Sequence, residues 1–543
     1  MKKERLMGSI IAQTAKRIPS WGVLSATQAR LHQEVFTCSK VGARCIHTQV
    51  WRTQGDFPER SLERVKNKED IGVAFSGGGT RSAAASLGQL AALSEIGLLD
   101  RVKYISAVSG GAWAATPYTF LPTNISDQEF FGHFAKDPAA LTMQRLDTLA
   151  KTSFAQAISE TVIIDDFFWH AMRWSGDETY SRALGSLFLK PFGLDKLKRS
   201  FTYDRETLAL ADKDIQYYTT KDNRPFLILG SVLLTEKFGK VPIEMTAQYT
   251  GVRGHFEKEG TSIGGSYVSS YGYDSESPKD VFPRDSSEIT TDVKFSSRRN
   301  LFTLSDMMGG TGAAPQEILN KLGLSFLGFP EFHYWGLQKD PTSFTPSREI
   351  PHGDGGLLEN LGVMPLFARQ VQKVIVFVNK MEPLEYHQTH EEKSGAAQSL
   401  RPLFEPVRDR EHEGSFGKNV VLEGGQEKYK ELIRALYQKK VQGESLIHTD
   451  TYGVKKNAFY GVDQSYNAEI TWVYNERVKN WEDQLPTVVR NQMGHGDFDR
   501  FPHYRTFFEN PLKIIDLSRR QVSLLSHLSY WNVKSNQGAI LGE

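Results

Sequence analysis

Two glycine turns in succession, each between an apolar run and a helical pattern, constrain this chain more than any other feature. The first is Ser76-Gly77-Gly78-Gly79-Thr80-Arg81. It follows Ile71 to Phe75, which reads as a short buried strand, and opens Arg81 to Ile96, where Ala83, Leu87, Leu90, Ala91 and Leu93 mark one broad helical face. Gly97 stands where a helix-ending glycine is expected. The second turn is Ser109-Gly110-Gly111, between a predicted strand (Val102–Val108) and a predicted helix (Gly110–Phe120). Strand, helix, strand, helix in this order predicts a βαβ unit with parallel strands. Parallel strands put both turns on one edge of the sheet, so groups carried by the two turns can meet.

The rest of the chain supports an α/β fold: a largely parallel central sheet, helices on both sides, and large insertions. Further strands are predicted at Phe226–Leu234, Val241–Tyr249, Lys373–Asn379 and Ala468–Tyr474, with helices at Leu357–Arg369 and Lys428–Lys440. Residues 121–220 read as mainly helical, 250–300 and 383–425 as loop, and no internal repeat is present. The expected division is a basic extension over residues 1–55 and a single domain over 56–543, with an insertion or lid region at roughly 121–300.

Charge excludes one class of partner. Lys and Arg number 65 and Asp and Glu 64 in 543 residues, a net +1, so no global positive field gathers nucleic acid. Two cysteines rule out a disulfide scaffold and, without histidine help, a structural zinc site. Neither H-E-x-x-H nor C-x-x-C occurs, and no apolar run reaches the length of a membrane span. The even charge hides a local bias, because residues 1–50 carry eight Lys or Arg against two acids. Met7, Ile11, Ala15 and Ile18 fall there at helical spacing, a pattern shared by solvated extensions, membrane-surface helices and organelle-targeting segments.

Each turn has a chemical reading. Three consecutive glycines let the backbone approach a ligand and aim N–H groups into the space at a helix N-terminus, where negative charge is favoured. Neither the G-x-G-x-x-G nor the Gly-Lys-Ser/Thr pattern of nucleotide loops is complete here, and a tight turn without ligand is the plain alternative. Ser109 sits in Ala107-Val108-Ser109-Gly110-Gly111, the nucleophile pattern G-x-S-x-G with Ala in place of its first Gly; a serine helix cap reads equally well. A third segment, Gly353-Asp354-Gly355-Gly356, places a carboxylate between glycines, either as a base for the serine or as an Asx turn.

SGGGTR, SGGAW and DGGLLENLG in this order resemble the catalytic domain of group IV cytosolic phospholipases A2 and phospholipase B, with patatin-like acyl hydrolases more distant. The resemblance spans about residues 70–120 and 300–380 and includes the small-residue stretch Met308–Ala314. It implies a Ser–Asp dyad with Ser109 as nucleophile and Asp354 as base, Gly78 and Gly79 as oxyanion donors, and Arg81 against the substrate phosphate. It implies fatty-acyl ester hydrolysis of glycerophospholipids or lysophospholipids through an acyl-enzyme. Calcium-independent chemistry and no cofactor or metal are expected, since about 55 N-terminal residues are too few for a C2 domain. The expected setting is the cytoplasm with peripheral contact at a membrane surface, or an organelle addressed by the basic segment. Oligomeric state stays open.

Three other functions fit the same residues: a transacylase with an alcohol as acceptor, a Ser-Asp-His esterase using one of fourteen histidines such as His352, and an inactive lipid-binding protein.

Overall fold

The structure, a computed structural model, describes residues 44–159, 179–279, 282–283, 286–295, 301–313, 330–387, 400–407, 417–505 and 517–543. The chain divides into units Met1–Ala43 and Arg44–Glu543, and every described residue belongs to the second. The helical pattern of Met7 to Ile18 lies outside the described residues.

Fifteen strands are described. They are β1 (Arg44–Arg52), β2 (Glu69–Phe75), β3 (Val102–Val108), β4 (Arg199–Thr202), β5 (Gln216–Thr219), β6 (Phe226–Thr235), β7 (Gly239–Thr246) and β8 (Tyr249–Lys258). They continue with β9 (Thr261–Ser269), β10 (Glu288–Phe295), β11 (Glu331–Tyr334), β12 (Arg348–Asp354), β13 (Lys373–Val378), β14 (Leu446–Val454) and β15 (Tyr466–Tyr474). β4 and β5 form a separate pair; the other strands make one sheet in the order β10-β1-β9-β8-β7-β6-β3-β2-β13-β15-β14, with β12 joining β6 and β11.

The middle of this sheet, β6-β3-β2-β13-β15, is parallel. Its strands read as continuous apolar runs because both faces are covered: Ile71 to Phe75 and Val374 to Val378 are buried residue after residue. The strand order runs outward in opposite directions from β2, so a crevice opens at its carboxyl end, where the triple glycine lies. The Gly79–Glu95 helix that follows is clamped by the Arg519–Ser535 helix. A Cβ on Gly88 would lie 2.0 Å from Ser526 O, which only glycine permits.

The flanks differ from expectation. The stretch 250–300, expected as loop, supplies most of β8 and all of β9 and β10, and β7 to β10 extend the sheet by antiparallel pairing. A strand with one wet face needs few apolar residues, so β10 alternates along Glu-Ile-Thr-Thr-Asp-Val-Lys-Phe; β9 is buried from Ile263 to Ser269 yet carries paired glycines and serines that give little apolar signal. β1 likewise lies inside the expected extension of residues 1–55, yet pairs with β10 and β9. The predicted helix at Leu357–Arg369 is a 3₁₀ turn, Gly355–Leu357, followed by a short helix, Met364–Ala368. Among the described residues no helix is long and apolar enough to cross a membrane.

Candidate active site

The register of β6 brings Ser109 and Asp354 together. Along one edge of β6, Val108 of β3 stands opposite Gly230, and on the next residue, Ser231, the partner is Asp354 of β12. β3 ends where β12 arrives from the opposite direction, so the residue after one strand meets the last residue of the other. Ser231 Oγ ties this junction, 2.8 Å from Gly310 O and 3.1 Å from Gly353 O.

Ser109 sits at φ 50°, ψ −123°, a conformation that costs a non-glycine residue about 1–3 kcal/mol. The turn that enforces it is packed backbone to backbone: a Cβ on Gly110 would lie 2.0 Å from Gly79 O, and one on Gly111 2.7 Å from Phe75 O. The sharp turn lifts the serine hydroxyl clear of the strand. That hydroxyl lies near enough to the Asp354 carboxylate to lower its pKa, and the carboxylate accepts a hydrogen bond from Gly356 N at 2.7 Å. Burial raises Asp354 from 3.8 to about 6, against the lowering effects of Ser109, the Gly356 N–H and the charge of Lys380. The carboxylate is therefore ionised at neutral pH and more basic than an exposed one.

The glycine loop lies alongside. Gly78 and Gly79 have φ of 144° and 58°, both in the region that favours glycine. Gly79 opens the long helix, so its N–H belongs to the first turn, which has no helical acceptor. Two neighbours hold the loop: Gly77 N donates to Asn360 O at 2.9 Å, and Ser76 Oγ accepts from Asn379 N at 2.8 Å. The Asn379 side chain is tied to Gln89 of the helix, whose Nε2 donates to Asn379 Oδ1 at 2.8 Å.

Arg81 is brought to the loop but is only 4% exposed. Its Nη1 donates to Tyr504 O at 2.5 Å and its Nε to Asn379 O at 3.4 Å, while Nη2 lies 2.5 Å from where a Gly78 Cβ would stand. Much of the guanidinium thus binds protein backbone. His352 is buried two residues before Asp354, with Nδ1 donating to Ile350 O at 2.9 Å and Nε2 2.8 Å from Tyr273 OH. Burial lowers it to about 4, and both of its nitrogens are engaged away from the dyad.

Sequence reasoning missed three residues. Thr311 lies in the small-residue stretch, of which Ala314 falls outside the described residues; its Oγ1 accepts from Ser109 N at 3.2 Å and donates to Gly230 O. Asn379 and Lys380 follow β13, whose apolar run correctly announced a strand ending at this edge, but nothing marked Lys380 among 65 Lys and Arg.

No family model matches the chain. Cytosolic phospholipase A2 zeta of Homo sapiens is 54% identical over 43 residues, 8% of this chain and 5% of that protein. Cytosolic phospholipase A2 gamma of Homo sapiens is 36% identical over 116 residues, 20% of each. Cytosolic phospholipase A2 beta of Homo sapiens is 48% identical over 66 residues, 12% of this chain and 8% of that protein. Human GIVD cytosolic phospholipase A2, a solved structure, superposes with a TM-score of 0.40 at 13% identity, covering 88% of this chain and 61% of that one. The sequence matches are local, spanning 5–20% of the length of these relatives. Those matched segments, and not the superposition, carry the likeness: over them the chain is similar to cytosolic phospholipases A2.

Proposed function

We propose that this protein is a lipid acyl hydrolase, cleaving fatty-acyl esters of glycerophospholipids or lysophospholipids through an acyl-enzyme on Ser109. The observation that carries this reading is the register of β6, which brings Ser109, at a strained turn beside the triple glycine, next to Asp354. Asp354 takes the proton as Ser109 Oγ attacks the ester carbonyl. The oxyanion lies against the N–H groups of Gly78 and Gly79, each such donor being worth about 10²–10³ in rate. The C–O bond to the glycerol breaks, the proton held by Asp354 goes to the departing alkoxide, and water repeats the sequence to free the fatty acid. Arg81 supplies positive charge beside the loop for the substrate phosphate. The geometry favours the dyad over a Ser-Asp-His arrangement through His352, whose ring bonds elsewhere. The proposed setting is the cytoplasm, in peripheral contact with a membrane surface.

The test is covalent labelling with an alkyl fluorophosphonate, combined with lipid product analysis. Wild type is expected to carry the adduct on Ser109 and release fatty acid from phospholipid or lysophospholipid, and Ser109→Ala to do neither. Labelling without any release of fatty acid, with acyl groups moved instead to added glycerol, would favour a transacylase. No adduct at Ser109 overturns the reading.

A further inference from the structure

We infer that Lys380 is a second cation, beside Arg81, by which this site selects a phosphate-bearing acyl ester over a neutral one. The inference rests on the acyl-hydrolase reading above and names its specificity determinant. Lys380 is 8% exposed, yet its ammonium makes no hydrogen bond or ion pair among the described residues. An unpaired buried ammonium is costly, and an incoming anion would complete it.

Its backbone runs beside the glycine loop, and its charge acts on Asp354. Lys380 follows Asn379, whose carbonyl lies 2.8 Å from where a Gly78 Cβ would stand, so this piece of chain rests on the glycine loop. The Lys380 carbonyl is anchored by His503 Nδ1 at 3.0 Å; His503 Nε2 in turn bonds Glu476 at 3.0 Å, and Glu476 accepts from Lys440 at 2.9 Å. The charges that act on the ammonium are Glu382, Arg81, Glu359 and Asp354, all within electrostatic reach and none in contact. Burial and Arg81 bring Lys380 down to about 8, still charged at neutral pH. Arg81, by contrast, has two of its nitrogens on backbone carbonyls.

The experiment compares hydrolysis of lysophosphatidylcholine with that of the monoacylglycerol of the same chain, which presents the same ester without phosphate. Lys380→Met is expected to lower the ratio of kcat/KM for the two esters by about 30-fold, the size of one charge-assisted hydrogen bond, mostly through KM. Lys380→Arg is expected to restore most of the ratio. In wild type the KM for lysophosphatidylcholine is expected to rise as the pH passes about 8, and in Lys380→Arg that rise is expected to be absent. An unchanged ratio in Lys380→Met, or no rescue by Lys380→Arg, overturns the inference. If wild type cleaves neither ester, the hydrolase reading fails separately. Lysophosphatidylcholine binding to Ser109→Ala with and without Lys380→Met then decides the role of Lys380: weaker binding without the lysine supports it, equal binding overturns it.

Discussion

Two buried charge clusters lie close to β3 and β6, and they treat charge in opposite ways. In the first, Arg369 has all its hydrogen-bonding directions answered: Nε by Glu59 at 2.7 Å, Nη1 and Nη2 by Glu244 at 3.0 and 2.9 Å, and Nη2 also by Tyr249 OH at 2.8 Å. Tyr249 OH closes the ring onto Glu59 at 2.6 Å, and the guanidinium stacks 3.9 Å from the Phe57 centroid. In the second, Asp354 is held back from full ionic stabilisation and the Lys380 ammonium makes no hydrogen bond or ion pair among the described residues, though Glu382, Glu359 and Asp354 act on it from further off. Completed pairs hold elements in place, here the segment before β2 to β7, β8 and the end of the Met364 helix. Incomplete ones keep reactivity available for a substrate.

Four measurements sharpen or break that contrast. The largest effect is expected at the dyad: Ser109→Ala should lower kcat by about 10⁴-fold or more, and Asp354→Asn by about 10³-fold, with both proteins folding normally by circular dichroism and thermal unfolding. Comparable losses at another carboxylate instead of Asp354 would dissolve the distinction.

The paired cluster should respond in stability. Arg369→Met leaves Glu59 and Glu244 as buried unpaired carboxylates and is expected to destabilise by about 3–5 kcal/mol in urea unfolding. The rate per folded molecule should stay within about twofold, since no atom of Arg369 touches the dyad. A large loss of specific rate at full folding would show that the two clusters are coupled.

Acid should act on the dyad through Asp354. Its carboxyl is raised to about 6, and the base must be ionised, so kcat/KM rises with pH through about 6 and falls about tenfold per unit below it. A rate that stays flat down to pH 4 would mean another group takes the proton. The stabilising network behind Lys380 runs the other way: His503 and Lys440 hold Glu476 at about 2, below its ordinary value of 4.5. Its contribution is present above about 4.5 and is lost as the pH falls toward 2.

The smallest effect is expected at His352. His352→Gln removes the bond to Tyr273 but no group of the dyad, and kcat should change by less than about threefold. A loss of several orders of magnitude would revive the Ser-Asp-His alternative.

How far the sequence could be read depended on which faces of each element are buried. β2, β3 and β13 were legible almost to the residue, because strands covered on both faces must be apolar throughout. β9 and β10 were not, because Thr261–Ser269 and Glu288–Phe295 gain their order from pairing with β8 and β1 and carry little apolar signal. Ser109, Asp354 and the glycines were visible as motifs. Arg81 was visible too, but its engagement with Tyr504 depends on chain more than 400 positions away.

What the sequence determined by itself is local: only glycine accepts the backbone of Gly78, and small residues are required where Gly110 and Gly111 meet Gly79 and Phe75. Those demands are steric and act between near neighbours, so they leave a mark in the residue string. The tertiary structure decided which carboxylate faces the serine and which cation is left unpaired. Both follow from how β3 and β12 share one edge of β6 and how distant segments close around Arg81, and long-range pairing of that kind leaves no local pattern to read.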